Sequence, residues 1–184
     1  VITGDTRLVL TNAIYFKAFW ATQFDPDQTY DATFRTPDGE VTVPMMNMEE
    51  EVELAVLDDV SVLQLPYEDH EISMIVVLPS EDDGLDAVEA GLSSEQVDEW
   101  IGALHSTEAM VGLPSFEMRF ATSLKPTLEG LGMGIAFDSE QADFSGITDT
   151  GMFISDVIHE AYVKVDEEGT EAAAATAVVM EDSA

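Results

Sequence analysis

The sequence contains no cysteine and only six basic residues among 184. The first absence removes disulfides, thiol nucleophiles and Cys-ligated zinc or iron, and leaves the redox compartment open. The second argues against nucleic acid as a partner, because phosphate binding needs basic patches. No apolar run approaches the roughly 20 residues of a membrane helix, so no membrane insertion is expected. There is no nucleophile elbow, zinc-protease motif, phosphate loop or dinucleotide fingerprint. The spacing of Asp82-Asp83-Gly84 does not make a calcium loop. His70, His105 and His159 are far apart in the chain. No catalytic residue, metal site or cofactor is expected, and with acids this abundant, chance carboxylate pairs carry no weight.

What is present is acid over an ordinary core. Asp plus Glu number 38, giving a formal charge of −32, while 46% of residues are hydrophobic and 8% aromatic. That apolar fraction excludes a disordered acidic tail. The acids are scattered, and a purely acidic run is as short as Glu49-Glu50-Glu51. Such a surface repels itself at low ionic strength and is screened at high salt, which points to a halophilic source. The length suits one core of domain size. The opening residues already read as the middle of a domain, without a signal-peptide pattern. A fragment is therefore expected, with its targeting region outside the sequence and an extracellular or a cytoplasmic location left open.

Along the chain, strand patterns dominate. Residues 6–20 alternate with both faces largely apolar, as in a strand buried on both sides. Tyr30–Arg35, Val41–Met48, Val52–Val56, Val60–Leu65 and Ile72–Pro79 follow as strands. Leu85, Val88 and Leu92 have helical spacing, and Ser93 or Ser94 caps a second helix carrying Val97, Trp100, Ile101 and Leu104. Residues 107–122 return to strand with a break at Pro114. Ser123–Leu131 reads as a short helix ended by Gly132, 133–151 as irregular, and 152–166 as a further strand. The class is α+β.

Two features resist a purely structural reading. Asn12 and His159 are lone polar groups on apolar strand faces, and each needs a partner if buried, either a local one or each other. The run EEGTEAAAATAVVM at 167–180 is the second. On propensity alone its alanines favour helix. As a strand from Gly169, its even face (Thr170, Ala172, Ala174, Thr176, Val178, Met180) carries no charge, whereas Glu171 and Glu181 share the odd face. Both readings fit the residues.

VDEEGTEAAAATAVV, residues 165–179, resembles the hinge of the reactive-centre loop of the serpin family. The resemblance continues upstream through Thr11–Lys17 with Trp20, Phe24-Asp25-Pro26, Val43–Met46, Leu65-Pro66-Tyr67, Met74–Pro79, Asp143–Ile147 and Ile158–Ala161. It spans essentially the whole sequence but about half of a serpin domain. The fold it implies has mixed sheets A, B and C with a few short helices. Residues 1–184 would form one partial domain, with 1–168 the body and 169–184 the hinge and bait region.

The resemblance implies a suicide inhibitor of serine proteases, not an enzyme. A cleaved loop inserts as a new strand of the central sheet, between the strands at 6–20 and 152–166, before the acyl-enzyme is hydrolysed. The loop hinge would comprise Glu167, Glu168, Gly169, Thr170, Glu171, Ala172, Ala173, Ala174, Ala175 and Thr176. Asn12 and His159 match the polar pair under the sheet opening; Trp20 and Glu167 match the place where the loop first enters. Ser115 stands where the family often has a basic residue to hold Glu167. Hinge counting puts the scissile bond at Ser183–Ala184, or at Asp182–Ser183 in a shorter loop, and the end of the sequence falls close to it. Small residues there suit a subtilisin- or elastase-like target. A monomer is expected of the complete domain. The alternative is a non-inhibitory binding or carrier protein, for which bulky or charged hinge residues would have spoken.

Overall fold

The computed structural model describes residues 6–36, 39–149 and 151–182, with the side chains of 6–14 and 174–182 excepted. The chain divides into two compact units. One is Lys17–Phe116 with Lys164–Thr170. The other takes in Glu117–Val163 and the described parts of Val1–Phe16 and Glu171–Ala184.

The first unit is built on one long strand. β3 (Gly39–Val56) pairs antiparallel with β2 (Tyr30–Thr36) at its start and with β4 (Val60–Pro66) at its end. Between them it pairs with β6 (His105–Pro114), from Met45 opposite Pro114 to Leu54 opposite His105. This corrects the expectation of separate strands at Val41–Met48 and Val52–Val56. The intervening Glu49, Glu50 and Glu51 are exposed within the strand and held by the β6 ladder. β5 (Ser73–Pro79) continues the sheet beyond β4. Two helices follow it: α1 (Leu85–Gly91) and α2 (Ser94–Ala103), the latter capped by the Ser93 hydroxyl accepting from the Gln96 N–H. Trp100 of α2 packs with Ala55, Val60 and Val62 and is joined by Ile75, Val77, Val88 and Val97. Alternation of strand residues and 3.6-residue spacing of helix residues thus converge on one core.

The second sheet has the order β1, β9, β8, β7, with β1 at Thr6–Phe19, β7 at Phe116–Ser123, β8 at Met152–Val165 and β9 at Gly169–Asp182. In the second unit, Met152, Ile154 and Val157 of β8 pack with Phe137, Leu124, Leu128 and Phe144. The helix expected over Ser123–Leu131 is shorter, α3 at Lys125–Leu128, followed by a wide turn through Glu129–Met133 and a tight one at Gly134–Phe137. Gly132 takes φ 100°, a left-handed conformation within that wide turn.

The alanine run is strand, not helix. β9 is 14 residues long and has a partner on each side, β1 and β8. Helix propensity differs by a few tenths of a kcal/mol per residue. Pairing on two edges satisfies the backbone groups of the segment and outweighs that preference.

Candidate functional site

The strand β9 begins in the first unit, and everything around its first two residues serves to seat it. β8 ends at Val165, and a three-residue turn, Asp166-Glu167-Glu168, reverses the chain into Gly169. The Asp166 N–H donates to the Gly169 carbonyl at 3.0 Å. The Asp166 carboxylate accepts from the N–H groups of Glu168 at 3.1 Å and Gly169 at 3.2 Å, and Lys164 Nζ lies 2.7 Å from it. Burial alone would push the Asp166 carboxyl up. Lys164 and the two N–H donors more than offset this and hold it below the usual aspartate value.

The turn is anchored to the end of β1 and the segment after it. The Trp20 N–H donates to the Glu168 carbonyl at 2.9 Å, and the Phe24 N–H donates to the Glu167 carbonyl at 3.0 Å. Trp20 Nε1 donates to the Asp166 carbonyl at 2.9 Å. The Trp20 indole is buried and stacks on Tyr67, with centroids 4.8 Å apart and planes 9° from parallel. Such a pair contributes about 0.5–1.5 kcal/mol beyond its buried area. The two residues also bridge through their backbones.

Tyr67 in turn reads the first side chain of β9. Its hydroxyl donates to Thr170 Oγ1 at 2.9 Å, a buried contact between residues 103 apart in sequence. Thr170, at 5% exposure, is buried despite its polar group. Burial raises the Tyr67 pKa, and the Thr170 hydrogen bond counteracts part of that rise. Gly169 is required for another reason. A Cβ there would fall 2.1 Å from the Ala18 carbonyl oxygen and 2.8 Å from Phe19 Cα. Here the backbones of β1 and β9 approach more closely than any side chain allows.

The expected site residues are placed as follows. Trp20, Glu167, Glu168, Gly169 and Thr170 come together at the start of β9. The Glu167 carboxylate accepts from the Thr29 hydroxyl at 2.7 Å, while the Ser115 hydroxyl donates to the Val165 carbonyl at 3.1 Å. In the second unit, Glu171, Ala172 and Ala173 are partly buried, and the exposed Tyr15 hydroxyl donates to Glu171 at 3.4 Å. Thr170 is buried, whereas Glu171 meets the exposed Tyr15. Ala174, Ala175, Thr176 and Asp182 lie within β9, but their side chains are outside the described residues, as are Ser183 and Ala184. Asn12 is on β1 and His159 on β8, with β9 between those strands; the Asn12 side chain is outside the described residues, and His159 is half-buried. Sequence reasoning gave no site role to Tyr67, Thr29 or Asp166, although all three fall in or beside the stretches that carry the resemblance. Their membership of those stretches was the available signal; the contacts that join them depend on the tertiary fold.

The chain thus places an alanine-rich strand between two long ones, with its entry turn tied to a buried Trp–Tyr pair. The serpin (serine protease inhibitor) family model matches residues 1–184, and the chain belongs to that family. It is 43% identical to the leukocyte elastase inhibitor of Xenopus laevis over 96% of this chain and 49% of that protein. It is likewise 43% identical to human Serpin B8, over 95% of this chain and 48% of that one. The chain therefore spans about half the length of these relatives. Among solved structures, reactive-loop-cleaved human thyroxine-binding globulin superposes with a TM-score of 0.89 at 32% identity, covering 99% of this chain and 54% of that one.

Proposed function

We propose that this chain is the central-to-C-terminal portion of a serine protease inhibitor that traps its target by cleavage and insertion of its own loop. β9 is the inserted loop in this reading. The observation that carries it is the position of the alanine-rich Gly169–Asp182 segment as a strand between β1 and β8. A relative named an elastase inhibitor supports the same reading. Glu167 to Thr176 act as the hinge, Asn12 and His159 as the polar pair beneath the opening, and the bond cut is Ser183–Ala184 or Asp182–Ser183. The target is a subtilisin- or elastase-like serine protease. The medium is salty in this reading, since salt screens the self-repulsion that a charge of −32 brings to the folded state.

The test uses the full-length protein and a subtilisin-like protease in high salt. The expected product is a covalent complex that survives denaturing electrophoresis. Clean cleavage of the loop by every protease tried, with no complex, would remove the inhibitory reading. A second reading, a non-inhibitory binding or carrier protein, draws on the likeness to thyroxine-binding globulin. It expects no rise in thermal stability when the loop is cut.

A further inference from the structure

We propose that Tyr67 is a positioning residue that selects a hydroxyl at position 170, so that the loop is admitted by chemistry as well as by small size. The proposal rests on the loop-insertion reading above. If size alone decided entry, any small uncharged residue would serve at position 170. The geometry asks for more. Thr170 is the first residue of β9 with a side chain, and it is buried to 5% exposure with its Oγ1 2.9 Å from the Tyr67 hydroxyl. That phenol is fixed in place: its ring lies flat against Trp20, and Trp20 is held by hydrogen bonds to the carbonyls of Asp166 and Glu168. Gly169, closing on the backbone of Ala18 and Phe19, sets the depth at which residue 170 meets Tyr67.

A strand lacking an acceptor at 170 gives up this bond in a buried site, where hydrogen bonds are costly to forgo. The contact involves the opening residues of the strand, adjoining the turn that ties β9 to β8. It therefore forms as insertion begins, when insertion competes with release of the protease.

The experiment compares Thr170→Val, Thr170→Ser, Tyr67→Phe and the Thr170→Val/Tyr67→Phe double variant of the full-length protein. The readouts are the rate of loop insertion after attack, the stoichiometry of inhibition, and the unfolding temperature before cleavage. Thr170→Val keeps shape and neutrality but lacks the acceptor, and insertion should slow roughly 3- to 10-fold, as expected for one buried hydrogen bond. Thr170→Ser should recover most of the rate. The double variant should be no slower than the slower single variant, because the two groups act as one unit. The unfolding temperature of the uncleaved Thr170 variants should not move. If wild type traps protease and Thr170→Val inserts equally fast, the selection proposed here is overturned. If wild type itself forms no complex, it is the loop-insertion reading that fails. Should Tyr67→Phe not fold, the Thr170 pair decides the matter alone.

Discussion

Gly169→Ala offers the sharpest energetic test of how β9 is seated. The added Cβ would lie 2.1 Å from the Ala18 oxygen, 2.8 Å from Phe19 Cα and 3.0 Å from the Ala18 carbonyl carbon. All three are backbone atoms, so no side chain can swing aside. The first distance is more than an ångström short of ordinary contact, and β1 and β9 must part. Parting stretches the Trp20 N–H bond to the Glu168 carbonyl, now 2.9 Å. Losing one such bond costs about 1 kcal/mol, and overpacking costs about 1–3 kcal/mol. Stiffening the unfolded chain returns about 0.4–1 kcal/mol. A net destabilisation of roughly 2–3 kcal/mol remains, confined to the state in which β9 is in the sheet. In the assay, full-length wild type and Gly169→Ala are cleaved in the loop, and unfolding temperatures are measured before and after. The rise on cleavage should be smaller in the variant by a few degrees, because the scale of about 2–4 °C per kcal/mol for 150–250 residues is roughly halved in a protein about twice this chain's length. An equal rise in the two proteins would refute the close approach at Gly169.

Other consequences are open to measurement. Thr170→Arg places a charge at a position buried to 5% exposure, which costs several kcal/mol without a partner; under the proposed function the full-length variant should show loop cleavage without complex. Glu51 and Glu108 lie directly opposite one another on β3 and β6. Glu108→Lys should stabilise the protein by up to about 1 kcal/mol. That gain should fade in molar salt, where the screening length falls to about 3 Å; urea titrations at two salt concentrations would show it. Asp166 has its folded pKa lowered, so its contribution is present above the ordinary aspartate value of 3.8 and is lost as pH falls through the folded value. Wild type should lose stability in acid more steeply than Asp166→Asn, in unfolding temperature followed from pH 6 to pH 3.

Sequence patterning made the long strands legible. β1 and β8 announce themselves by alternation sustained over many residues, and the helices by spacing and a serine cap. What stayed hidden was decided by tertiary context. The alanines of β9 favour helix in isolation, and only neighbours on both edges make them strand. Val41–Met48 and Val52–Val56 read as two strands, and it is the ladder to β6 that carries one strand through Glu49-Glu50-Glu51. At the site, Trp20, Glu167 and Gly169 were reached through resemblance. The residues that complete it, Tyr67 and Thr29, meet partners more than a hundred residues away, a separation no local pattern encodes. The reason for Gly169 was likewise invisible, since it depends on a backbone that approaches from β1.

The central claim is that residues 169–182 pass from loop to strand when the bait is cut. Hydrogen–deuterium exchange of that segment in the full-length protein, before and after proteolytic cleavage, measures this directly. The account predicts rapid exchange before cleavage and strong protection afterwards, beginning at Gly169 and Thr170. A segment that exchanges equally fast in both states would contradict it.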